Sequence, residues 1–121
     1  MYVDGFVLPV PKKNIAAYKK MATVGAKVWK KHGALQYFEC IGEDLNPKVD
    51  KNMRFVTFPQ LVKAKPTETV WYSFIIYKSK AHRNAVNKKV MADPRLTNIK
   101  GPMPFDPKRM SYGGFKTVVK Y

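Results

Sequence analysis

Few side chains in this chain combine the residue types and spacing that chemistry needs. The two histidines, His32 and His82, and the single cysteine, Cys40, lie far apart and match no metal-ligand spacing. His32 is the better placed as a general acid or base, because it ends a predicted helix and is expected at the mouth of the space between helix and sheet. A structural or surface role is the plainer reading of both histidines. Cys40 alternates with Phe38 and Gln36 on one face of a predicted strand. A nucleophilic thiol needs a neighbour that lowers its pKa, and Glu39 points to the other face, so an inert cysteine is the simpler reading. Tyr112 is the remaining candidate for proton transfer. No Ser-His-Asp arrangement, phosphate-binding glycine loop or dinucleotide fingerprint occurs, and neither a metal nor an organic cofactor is expected.

A second group of candidates is charged. Asp4 and Glu39 lie within otherwise apolar stretches, so each needs a partner if buried. Arg109 opens the last predicted strand, which is expected beside the first. An Asp4–Arg109 pair, or a Glu39–Arg pair, would serve as glue for the fold or for a contact between copies, with a polar pocket as the alternative. Asp93, Arg95 and Asp106 complete this scattered set.

The third group is a lysine ridge. The chain carries 23 Lys and Arg against 8 acids, a formal charge of +15, and no acid falls between Asp4 and Glu39. Lys12, Lys13, Lys19, Lys20, Lys27, Lys30 and Lys31 fall within an arc of about 120° on one predicted helix, at ~100° per residue. Like charges at i, i+4 do not stabilise a helix, so a polyanion such as nucleic acid is a candidate partner. No aromatic stacking platform interleaves these lysines, and a solvated face is the alternative.

These residues must be positioned by some frame, and the pattern supplies one. Tyr2–Val10 reads as a strand, closed by Pro9 and Pro11, which cannot donate to a ladder. Ile15, Tyr18, Met21, Ala22, Gly25, Val28 and Trp29 recur at helical spacing within 12–33, and Gly33 suits the C-terminal cap. The stretch 34–44 reads as a strand, and 69–78 as a strand apolar on both faces. Between them, Asn46-Pro47 signals a turn, 48–54 a polar loop, and 55–65 a short strand broken at Pro59. Ser79 caps a second helix over 80–92 with Ala81, Ala85, Val86 and Val90 inward, and Asp93-Pro94 ends it. A proline-rich connection, 101–107, leads to a last strand from Arg109 to about Lys120. Gly113 and Gly114 interrupt that strand, either as a bulge or bend or to open room beside Tyr112 and Phe115.

The order strand, helix, strand, strand, helix, strand predicts an α+β, ferredoxin-like βαββαβ domain. The whole chain, 1–121, makes one such domain, a four-stranded antiparallel sheet with two helices on one face. Along 69–78, Trp71, Ser73, Ile75 and Tyr77 point one way and Val70, Tyr72, Phe74 and Ile76 the other, and both sets are largely apolar, so the face without helices needs a cover. A second copy is the economical cover, which predicts a homodimer packed sheet to sheet. No apolar run approaches the ~20 residues that span a bilayer, the N-terminus does not read as a secretory signal, and a lone cysteine suits a reducing cytoplasm.

Several phrases carry a resemblance: "YVDGF" at Tyr2–Phe6, Glu39-Cys40, "TFPQLVKAK", "MADPR" at Met91–Arg95, and "MPFD" with "KRMSYGGF" over Met103–Phe115. Together they resemble the small bacterial YbaA-like family of unknown function, over nearly the whole chain. The resemblance implies a dimeric α+β barrel, the architecture of many small monooxygenases, and no settled activity. Two functions follow as expectations. In the first, a modest apolar or aromatic ligand binds between helices and sheet, lined by Trp29, Tyr37, Trp71, Tyr72 and Tyr112, with cofactor-independent monooxygenase-like chemistry carried by His32 or Tyr112. In the second, the lysine ridge docks a polyanion without catalysis.

Overall fold

The computed structural model describes residues 1–49, 52–99 and 101–121. Asp50 and Lys51, within the expected polar loop, lie outside the described residues, as does Lys100. The fold is α+β. Its sheet has four antiparallel strands in the order β2-β3-β1-β4, with β1 spanning Tyr2–Pro11, β2 Gln36–Ile41, β3 Glu68–Tyr77 and β4 Ser111–Lys116. The two long helices, α1 (Ile15–Lys31) and α3 (Lys80–Met91), pack on one face, while α2 (Phe58–Leu61) and α4 (Pro94–Thr97) are single turns.

Pro9 and Pro11 do not close β1. They remain paired with Val70 and Glu68. Pairing with β4 covers only Tyr2–Val7, and Lys12 N–H donates to Thr67 on the β3 side. The alternation therefore turns both prolines toward the side where β4 has ended and no donor is required. At the other end β4 stops at Lys116, opposite Tyr2, and Thr117 N–H makes one further bond, to Met1 O at 3.1 Å. Arg109 lies in a short 3-10 turn, Pro107–Arg109, ahead of the strand, with Asp106 accepting from Lys108 N–H at 3.0 Å.

Helix α1 buries Tyr18, Ala22, Gly25 and Val28, the stripe its spacing predicts. It ends where Gly33 adopts a positive φ of 115°, with Ala34 N–H bonding to Trp29 and Gly33 N–H to Lys30. That pair of bonds is a Schellman cap. Ser79 caps α3 by accepting from His82 N–H at 3.1 Å. The inward stripe of α3 differs from expectation. Val86 and Val90 are buried, but Ala81 and Ala85 are exposed, and the turn of helix facing the sheet carries Arg83 and Asn87 instead. The segment expected as a broken strand near Pro59 is the helical turn α2, with Thr57 and Gln60 forming a reciprocal capping box and proline in the first turn.

The helix-facing side of the sheet holds two core clusters. One joins Val28, Ala34, Ile75, Tyr77, Val86 and Val90; the other joins Leu8, Val10, Tyr18, Ala22 and Trp71. Small residues lie between them: Ser73 on β3 and Gly25 on α1. The opposite face carries Val3, Val7, Phe38, Tyr72, Phe74, Ile76 and Phe115 by register. Phe38 stacks on Phe74, and Phe58 of α2 reaches Tyr72 at one corner, yet Phe38, Tyr72 and Phe115 stay exposed.

The paired glycines of β4 now have an account. Pairing runs through them without an extra residue, so there is no bulge. Gly114 lies opposite Asp4, and a Cβ there would fall 2.8 Å from a ring carbon of Tyr2. Its missing side chain is the space the Tyr2 ring occupies. Gly113 faces Gly5 on the other side of the sheet, where a Cβ on either would only touch the Phe115 ring.

Candidate functional site

Alternation along the strands sends Tyr2, Asp4, Phe6 and Leu8 of β1 toward the helices, with Tyr37 and Glu39 of β2 and Trp71, Ser73 and Ile75 of β3. One row of the sheet reads Glu39, Ser73, Phe6, Tyr112 across all four strands. Because Ser73 is small, the layer above this row is not filled. A cavity of about 240 Å³ remains between α1 and the sheet, lined mainly by apolar groups that include Phe6, Met21, Trp29, Ile75 and Phe105. Its polar wall is Glu39. The Glu39 carboxylate accepts a hydrogen bond from Tyr37 Oη at 2.8 Å and another from Tyr18 Oη at 3.1 Å.

Burial pushes the Glu39 pKa up, against the two tyrosine hydrogen bonds, which favour the carboxylate. Burial and the neighbouring carboxylate raise both tyrosine pKa values far above the usual phenol range, so both hydroxyls stay protonated and donate. A carboxylate in this setting can take a proton from a bound molecule or hold a hydrogen-bond donor. On the far side of Tyr37 and Glu39 a groove of about 510 Å³ opens between α1 and β2, lined also by Ile15, Lys19, Ile41 and Trp71. Cavity and groove share Ala22, Tyr37 and Glu39, which places the carboxylate at their common wall. The larger depression of about 650 Å³ among the loops near Gly42 and Lys65 is lined by the exposed Glu43 and Asp44 and by Glu68, which is committed to Arg109.

The structure distributes the expected site residues unevenly. Trp29 and Tyr37 line the cavity, their rings 5.9 Å apart, and Trp71 lines the groove, its ring 4.5 Å from that of Tyr18. Tyr72 lies on the opposite face of the sheet. Tyr112 stacks on Phe6 at 4.8 Å but belongs to a different cluster, where its hydroxyl accepts from Arg83 at 2.6 Å. His32 is turned away from the cavity: its Nε2 meets Asp93 at 2.7 Å. Asp93 also accepts from Arg95, and these two contacts hold its carboxyl well below the usual range. His82 Nδ1 accepts from Lys78 N–H at the start of α3. Cys40 is exposed on the outer face of β2. Lys12, Lys19, Lys20, Lys27, Lys30 and Lys31 are all exposed, and Lys30 Nζ donates to Leu35 O at 2.7 Å.

The expected ion pairs are redrawn. Asp4 pairs not with Arg109 but with Arg83, Nη1 to Oδ1 at 3.0 Å, and Arg109 forks onto Glu68, Nη2 to Oε1 at 3.0 Å. The reason is position: Arg109 precedes β4 at the end of the sheet where β3 begins, while α3 lays Arg83 over Asp4. Glu39 has no arginine partner at all among the described residues. Sequence reasoning missed Arg83, Asn87, Tyr18 and the far connection, whose Leu96, Ile99, Met103 and Met110 close the cavity. Arg83 and Asn87 were legible in principle, since they share the helical period of Val86 and Val90. No group of three or more His, Cys, Asp or Glu side chains placed to hold a metal occurs among the described residues, and no helix there is long and apolar enough to cross a membrane.

Proteins of similar sequence place this chain in a family. The model of the family described as "Protein of unknown function (DUF1428)" matches residues 1–107. The chain belongs to this family. It is 42% identical over 118 residues to the "Uncharacterized protein YbaA" of Escherichia coli strain K12, covering 98% of this chain and 97% of that protein. The same figures hold for the proteins of that name from Escherichia coli O157:H7 and Shigella flexneri. Membership fixes kinship along almost the whole chain, and the chemistry must be argued from the site itself.

Proposed function

We propose that this member of the family binds a small, largely apolar or aromatic molecule in the cavity between α1 and the sheet. The observation that carries the reading is a carboxylate with a raised pKa, held by two tyrosine hydroxyls, in the wall of an otherwise apolar space. At about 240 Å³ the cavity lies just under the ~300 Å³ at which small-molecule sites begin, which suits a compact ligand. Glu39 takes the role of proton acceptor or polar anchor, in place of His32 and Cys40, which lie elsewhere. The test is a nuclear magnetic resonance screen of small aromatic fragments. Binders should shift the indole signal of Trp29 and lose at least about tenfold in affinity in Ser73→Leu, which fills the floor. Binders indifferent to that substitution would remove the cavity from consideration.

We infer further that the sheet order β2-β3-β1-β4 is that of a ferredoxin-like domain, and that two copies pack through the outer sheet face as a dimeric α+β barrel. The support is the contiguous apolar surface of Val3, Val7, Phe38, Tyr72, Phe74 and Phe115, because soluble proteins rarely leave such a face to water. Sedimentation of the wild type should report a dimer at micromolar concentration, and Tyr72→Asp should shift it to a monomer. A monomeric wild type sinks the barrel.

A further inference from the structure

Charge bookkeeping across the buried acids sets Glu39 apart. Four carboxylates are withdrawn from solvent among the described residues: Asp4, Glu39, Glu68 and Asp93. Asp4 has Arg83, Glu68 has Arg109, and Asp93 has Arg95 and His32. Among the described residues Glu39 has only two neutral hydroxyls, in a chain with 23 Lys and Arg. Lys19 lines the adjoining groove, yet makes no ion pair with Glu39. A partly buried carboxylate without a counter-charge is costly, and cationic side chains are abundant enough that one would be at hand if the fold used it.

The walls around Glu39 point the same way. Phe6, Tyr18, Trp29, Tyr37 and Phe105 bring their rings to the cavity, with Trp29–Tyr37 at 5.9 Å and Tyr18–Phe105 at 5.7 Å. Aromatic faces attract cations, most strongly where water is excluded, and cages of such rings recognise ammonium groups. Tyr18 and Tyr37 each occupy one oxygen of Glu39, leaving further lone pairs on both. Among the described residues an anionic occupant would meet a carboxylate and no cation paired with it.

The geometry points to a cationic occupant: the cavity takes a small apolar or aromatic amine or ammonium whose positive centre lies against Glu39 within the aromatic wall. This rests on the cavity being a ligand site. The chain's overall +15 does not oppose it at contact distance, since exposed charges are screened beyond about 8–10 Å at physiological salt whereas a desolvated contact is not.

The test compares three probes on the full chain by ligand-induced shifts of the tryptophan signals. They are benzyltrimethylammonium, its uncharged carbon isostere neopentylbenzene, and the anion hydrocinnamate. Benzyltrimethylammonium is expected to bind at least about tenfold tighter than neopentylbenzene, and hydrocinnamate weakest. In Glu39→Gln the cation's advantage should fall to near unity. Equal binding of the charged and uncharged isosteres, tighter binding of the anion, or an advantage retained in Glu39→Gln overturns the inference and leaves the cavity as a site for neutral or acidic molecules. Absence of binding by all three at millimolar concentration overturns the cavity reading along with it. The wild-type ranking decides the matter even where the variant folds poorly.

Discussion

Asp4 and Glu39 face the same layer from different strands of one sheet, and they are treated in opposite ways. Asp4 is almost fully buried, at 1% exposure, and is closed in. Arg83 pairs with it and also donates to the Tyr112 hydroxyl, and the Tyr2 ring lies under Arg83 at 5.0 Å in the space left by Gly114. Glu39 is half-buried, has no cation partner among the described residues, and borders open volume on two sides. Burial raises both pKa values, but at Asp4 the Arg83 charge is the main opposing influence, whereas at Glu39 only hydrogen bonds oppose it. A carboxylate tied into an ion pair fastens β1, β4 and α3 together. A carboxylate left without one, beside a cavity, is free to act on something else.

The largest effect that can break this comparison is removal of Arg83. Arg83→Met leaves Asp4 without its counter-charge in the core, and losing one member of a buried pair costs about 3–5 kcal/mol. Denaturant unfolding should show that loss, and Asp4→Asn added to Arg83→Met should recover much of it. Glu39→Gln, which removes a charge that has no counter-charge, should cost far less than Arg83→Met. If the two substitutions cost the same, the two carboxylates are not distinct in kind and the assignment of one to the fold and the other to a ligand fails.

Much of the frame was legible because it rests on periodicity. The α1 stripe, the Gly33 and Ser79 caps and the two-sided apolar strand β3 are local patterns, and local physics realises them. What escaped depends on register and on distant chain. Asp4 and Glu39 were identifiable as acids in apolar strands, but their partners were not, because Arg83 and Tyr18 approach from helices whose rotation over the sheet is set by packing. The expected prolines at the end of β1 were misjudged because the need for a donor depends on how far β4 extends. The cavity was foreseeable only in outline: Trp29 and Tyr37 lie where a strand and a helix must face each other. The small Ser73 that empties the space, and the late connection that roofs it, become meaningful only once all four strands are paired.

A finer probe of the same contrast is the sign of stability against pH, using Glu39 and Asp93, the latter paired with Arg95 as Asp4 is with Arg83. Glu39 is raised above its ordinary 4.5, chiefly by burial. Its contribution is fully present below that value and is lost as pH rises through the folded one. Glu39→Gln escapes this loss, so relative to wild type it should gain stability as pH rises from about 4.5. Asp93 is lowered from its ordinary 3.8, first by the Arg95 hydrogen bond and then by His32. Its contribution is present above 3.8 and is lost as pH falls through the folded value. The deficit of Asp93→Asn should therefore be greatest near neutrality and shrink as the solution is acidified. Melting curves of the three proteins at a series of pH values would show the two differences running in opposite directions. A Glu39→Gln difference that stays flat across the range would mean that the carboxylate is solvated in the folded chain, and the distinction between a fastened and an unfastened acid would lose its physical basis.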